Sequence, residues 1–60
     1  MNKKVKIKED KKDMSGNYLA RHGDTGEIIH FYNSDSYCYA LILLENGNFV
    51  GMPVEWIELL

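Results

Sequence analysis

The chain predicts an all-β fold: five short strands curled into a small barrel, with a long first loop and a 3-10 turn before the last strand. Three observations carry that expectation. Apolar residues recur with the period of two that sends neighbouring side chains to opposite faces of a strand, as Val5 and Ile7 do among the lysines of KKVKIKED. Glycine, asparagine, aspartate and serine gather between such runs, where turns need them. No stretch holds a helical repeat for a useful length.

The elements follow in order. KKVKIKED is a half-buried first strand, with Met1 to Lys3 frayed and the lysines on the outer face, where they discourage pairing with other chains. DKKDMSGNYLARHGDTG is dense in turn formers and reads as an irregular excursion of about fifteen residues, with Tyr18 and Leu19 folding back onto the body. EIIHFY, β-branched and aromatic, is the second strand and ends at the polar cluster NSDS. SYCYALILLE is the third. Its alternation sends Cys38, Ala40, Ile42 and Leu44 one way and Tyr37, Tyr39, Leu41 and Leu43 the other; the smaller set suits the tight interior. Asn46-Gly47 signals a hairpin of type I′, which needs positive φ at both central residues. NFVGM is the fourth strand. Pro53 ends its pairing for want of an N–H, PVEW makes the 3-10 turn, and IELL is the fifth strand.

Sixty residues make one domain, 1–60, with a small core and marginal stability. Cys38 is the only cysteine, which rules out an internal disulfide, makes a structural zinc cluster implausible and suits a reducing cytoplasm. No run approaches the length of a signal peptide or a membrane span. Asn, Lys, Ile and Tyr are frequent, a bias that fits an AT-rich bacterial or phage genome. The net charge of −2 hides an asymmetry. Residues 1–12 hold six lysines against Glu9 and Asp10, whereas residues 13–60 hold one arginine against seven acids. A phosphate-binding chain spreads cations over its folded face, so nucleic acid is a disfavoured partner.

GDTGEIIHF is similar to the strand entry of KOW-type barrels, and GMPVEWIELL resembles the end of Src-homology-3 domains: a proline, two residues, an aromatic, then an apolar-acidic-apolar close. The layout from KVKI through GDTGEII to the terminal EL also resembles the small accessory barrel of photosystem I and related accessory barrels, bacterial and phage ones included. These resemblances imply a Src-homology-3-like small barrel, and they carry only Pro53 and Trp56 over to a peptide groove. The tryptophan pair and early aromatic-acidic signature of peptide-binding members are missing, as are the basic residues with which KOW barrels hold nucleic acid.

Candidate site residues are aromatic and acidic. Trp56 and Pro53, with Tyr18 and Tyr32, form an exposed shelf for an extended peptide, or else Trp56 plugs the barrel end. Tyr37 and Tyr39 share a face with Leu41 and Leu43. Facing outward, they make a stripe too apolar for a solitary monomer, which implies a protein partner or self-association, unless the loop or the N-terminal segment covers it. Asp24, Glu27, Glu55 and Glu58 make an acidic face, solvated or turned toward a basic partner. Cys38 with His22 or His30 has neither nucleophile–base nor metal-ligand spacing. Gly23 and Gly26 lack the strand–loop–helix context of a phosphate cradle and read as turn residues. The expectation is a cytoplasmic, non-catalytic interaction module without cofactor or metal. It docks on a larger protein, for instance a phage or prophage accessory protein on a host factor, with homo-oligomerisation left open. The alternative is a KOW-like nucleic-acid or ribonucleoprotein binder using the lysine-rich start.

Overall fold

A computed structural model describes residues 3–60. Within them seven strands run in the order β1 (Lys3–Ile7), β2 (Lys11–Lys12), β3 (Tyr18–Ala20), β4 (Thr25–Ser34), β5 (Tyr37–Leu44), β6 (Phe49–Pro53) and β7 (Ile57–Leu59), with a 3-10 turn over Val54–Trp56. Five form one antiparallel sheet, ordered β6-β5-β4-β1-β7; β2 and β3 pair separately. Edge strands β6 and β7 are not paired to each other, so the sheet is strongly folded but not closed by a continuous hydrogen-bond ladder.

The fold in the sheet has a local cause. Between Ile28 and His30 the β4–β5 register shifts, a bulge at Ile29 that bends the strand and increases its twist. The first part of β4 pairs with both β1 and β5, and the remainder with β5 alone. Inside lies the core: Val5, Ile7, Ala20, Ile28, Ala40, Ile42, Leu44, Val50 and Met52, with Val54, Trp56 and Ile57 packed against it. The small set of β5 therefore points inward, as its alternation predicts. Burying each of the larger aliphatic side chains contributes about 1.5–3 kcal/mol.

Gly26 is a strand residue, not the turn residue the sequence suggests. A Cβ there would lie 2.5 Å from the Leu43 carbonyl oxygen and 3.0 Å from both the Ile42 side chain and the Leu44 Cα. Only glycine lets β4 and β5 approach this closely. The second strand also begins earlier and runs further than EIIHFY, because Asn33 and Ser34 pair with Cys38 and Tyr37. The turn shrinks to Asp35-Ser36, with Asp35 at φ 52. Lys3 is paired with Ile28, while Met1 and Asn2 lie outside the described residues.

The Asn46-Gly47 hairpin is present but is not type I′. Gly47 has φ 93, whereas Asn46 is not among the residues with positive φ. Gly47 N–H donates to Leu44 O (2.9 Å) and Leu44 N–H to Asn48 O (2.8 Å), while the Asn46 side chain accepts from Asn48 N–H (2.9 Å). This is a type I turn closed by a left-handed glycine, the three-residue hairpin.

The long excursion is more ordered than its composition suggests. The Asp13 carboxylate accepts the N–H groups of Ser15 and Asn17, both at 2.9 Å, and so turns β2 into β3. Ile7 N–H to Asp24 O (2.7 Å) and Gly23 N–H to Ile7 O (2.8 Å) close its base. Tyr18 and Leu19 do not fold onto the body as expected: they are 43% and 40% exposed, and Ala20 (1%) enters the core instead. Trp56 O accepts Lys8 N–H (2.8 Å), tying the 3-10 turn to the chain beyond β1.

Candidate docking site

Cross-strand register fixes which side chains share a face, because directly paired residues point the same way. Tyr32, Tyr39 and Pro53 form one row across β4, β5 and β6; His30, Leu41 and Gly51 form the next; Glu27, Leu43 and Phe49 form a third, and Ser34 with Tyr37 ends the face. All lie opposite the core. On β5 and β6 this outer face is uninterrupted by charge: Tyr37, Tyr39, Leu41 and Leu43 beside Phe49, Gly51 and Pro53.

On this face three aromatics stand well out: Tyr32 is 42%, Tyr37 59% and Phe49 62% exposed. Tyr39, Leu41, Leu43 and Pro53 are half-buried by their neighbours. Because Tyr32, Tyr37 and Phe49 are open to solvent, neither the loop nor the N-terminal strand lies over those three side chains. At about 200 Å² for a whole aromatic residue, those three residues together expose roughly 300 Å², spread along the face and comparable to a typical monomer's largest apolar patch.

The face is also preset. The Tyr32 and Tyr39 rings stack at 5.5 Å between centroids and 15° between planes, and Tyr37 tilts against Tyr39 at 6.2 Å and 45°. Tyr32 lies across the sheet, since a Cβ built at Gly51, two strands away, would meet its Oη at 2.5 Å. Gly51 is thus the gap that receives the Tyr32 hydroxyl. Rings held by stacking lose little rotamer freedom on contact with a partner.

The shelf expected from sequence is divided. Tyr32, Tyr37, Tyr39 and Pro53 come together, but Trp56 packs on the core and Tyr18 sits apart on β3. There Lys12 Nζ and the Arg21 guanidinium approach the Tyr18 ring to 4.8 and 4.2 Å, a pair of cation–π contacts. Phe49 and Leu41 belong to the site although sequence reasoning did not select Phe49. Its signal was the alternation of NFVGM, which sends Phe49 opposite to Val50 and Met52.

The acidic residues are dispersed. Glu27 on β4 pairs in register with Lys4, and Glu58 on β7 with Lys6, so carboxylates flank the lysine-bearing face of β1 on both sides. The Asp24 carboxylate accepts Arg21 N–H (3.0 Å), and Glu55 is exposed on the 3-10 turn. Cys38 lies on the side of β5 that carries Ala40, while His30, paired with Leu41, lies on the other; His22 is in the excursion, where its N–H reaches the Asp10 carboxylate (2.7 Å). These three do not converge, and no group of metal-ligating side chains occurs among the described residues. Nor does any described helix have the length and apolarity to cross a membrane.

Comparison of the chain with family models, curated proteins and solved structures returns no match.

Proposed function

We propose that this chain is a small, non-catalytic interaction module that docks on a larger protein partner through the outer face of β4, β5 and β6. The observation that carries the proposal is the uncovered row of stacked tyrosines continued by Leu41, Leu43 and Phe49. A solitary small domain gains nothing from holding such rings in water, whereas an interface gains contact area at little entropic cost.

The accompanying fold reading is a Src-homology-3-like small barrel. Its support is the strand order β6-β5-β4-β1-β7, the close β4–β5 approach at Gly26 and the 3-10 turn leading into the last strand. The register neighbours of the lysines favour protein over nucleic acid: Lys4 faces Glu27 and Lys6 faces Glu58, so the cations of β1 are interleaved with carboxylates. Phosphate binding needs the reverse, a cationic surface free to displace counterions.

The test is affinity capture from the source cell with three outward changes made together, Tyr37→Ser, Leu41→Ser and Phe49→Ser. Wild type is expected to retain a protein that the triple variant loses, while both keep the same far-ultraviolet circular dichroism. Capture unchanged by the triple variant, or salt-sensitive retention of random oligonucleotides by wild type, overturns the proposal.

A further inference from the structure

Resting on that docking reading, the geometry points to the partner's shape and charge: we infer that the outer face receives an amphipathic helix whose apolar stripe is bordered by lysine or arginine.

The neighbouring edge argues against an added strand. An extended peptide beside β6 would need that strand's free backbone groups, yet Lys11 Nζ already donates to Gly51 O (2.5 Å) and Pro53 has no N–H to offer. Lysine and proline on an edge are the devices that stop strand addition. The partner therefore lies on the face, not along the edge.

The face has the dimensions of a helix. Three strands about 4.8 Å apart give a strip roughly 10 Å wide. The six residue steps from Tyr37 to Leu43, at about 3.3 Å each, give about 20 Å of length. An α-helix is about 10–12 Å across and covers 20 Å in roughly 13 residues. A helix on a sheet face is also one of the few ways an apolar layer is buried.

Charge at the margin selects the partner's sign. Glu27 stands at one corner beside Leu43, and Glu45 follows two residues beyond Leu43, its carboxylate held by the Thr25 hydroxyl. At the opposite end Asp35 occupies the turn before Tyr37, and Glu55 follows Pro53 on the 3-10 turn. The cations nearby are Lys4, set against Glu27, and Lys11, engaged with Gly51. Carboxylates outnumber ammonium groups around a centre that carries no lysine, arginine or carboxylate. A second copy of this chain would bring the same carboxylates together, which opposes self-pairing here; a helix flanked by cations would be drawn in and oriented.

Three 14-residue synthetic peptides test this against the isotope-labelled chain by amide chemical-shift mapping and anisotropy. One carries leucine and lysine at helical spacing, one leucine and glutamate at the same positions, and one leucine and lysine in strict alternation. The helical lysine peptide is expected to shift Tyr39, Leu41 and Gly51. It should bind about tenfold or more tightly than the glutamate peptide at low salt, with the gap narrowing as salt screens the margin. Leu41→Asp should abolish that binding while leaving the fold intact. Equal binding of the glutamate peptide, preference for the alternating peptide, or a dimer that buries the face in sedimentation overturns the inference and leaves docking itself standing. Silence of the face toward all three peptides, with the chain monomeric, overturns the inference too. Docking itself falls to different results: capture from the cell that the triple variant leaves unchanged, or salt-sensitive retention of random oligonucleotides by wild type.

Discussion

At the scale of single residues, two glycines on β4 and β6, either side of β5, make opposite predictions. Gly26 faces backbone: the added methyl of Gly26→Ala would meet the Leu43 carbonyl and the Leu44 Cα, neither of which can rotate away. Overpacking of this kind costs about 1–3 kcal/mol, and for a domain this small each kcal/mol lowers Tm by about 4–8 °C. Gly51 faces only the tip of Tyr32, with Oη at 2.5 Å and the next ring atom at 3.8 Å from the built Cβ. Gly51→Ala should leave Tm nearly unchanged but push Tyr32 off Tyr39. Thermal melts combined with ring-to-ring nuclear Overhauser contacts separate the two outcomes. A large Tm loss at Gly51, or none at Gly26, would contradict this packing. Neither role was legible in the sequence, where Gly26 sits in a Gly-Asp-Thr-Gly run that reads as a turn. Composition reports that backbone freedom or space is needed, but not whether a turn or a close strand approach needs it.

At the scale of elements, alternation made most of the sheet legible and the excursion illegible. Val5 and Ile7, then Ala40, Ile42 and Leu44, went inward as their period of two requires. Once one face is buried, register is fixed, because a one-residue slip would turn every apolar side chain to water. The paired segments β2 and β3 are two and three residues long, too short to carry a period, and they are set by the Asp13 side chain and by burial of Ala20. The aromatic shelf failed as a sequence expectation for a related reason. Proximity in sequence joined Trp56 to Pro53, but the 3-10 turn rotates Trp56 toward the core, while register joins Pro53 to Tyr39 and Tyr32. The excursion also guards an edge through Lys11, and that role is testable. Lys11→Ala frees the Gly51 carbonyl on β6 and should allow strand-to-strand association that wild type resists, read as a concentration-dependent rise in sedimentation coefficient. Monomeric behaviour of the variant at high concentration would show that Pro53 and the surrounding charges suffice.

At the scale of the whole molecule, one sheet has a single protected side, and its two faces should respond to substitution in opposite ways. A domain of this length has a total stability of about 3–9 kcal/mol at the usual per-residue value. Ile42 is fully buried, and truncating such a residue to alanine costs about 2–5 kcal/mol. Ile42→Ala should therefore consume much of the available stability, and Ile42→Asp, which adds an unpaired charge to the cavity, should leave the chain unfolded. Leu41 is the adjacent residue on the same strand, but it points to the outer face between Tyr39 and Leu43. A carboxylate there stays in contact with water, so Leu41→Asp should keep the dispersed amide spectrum of the folded sheet while removing the apolar centre of the docking face. Amide dispersion and urea midpoints of the pair provide the measurement. Unfolding by Leu41→Asp as complete as that by Ile42→Asp would mean that the outer face is part of the core, and the docking site would be lost with it.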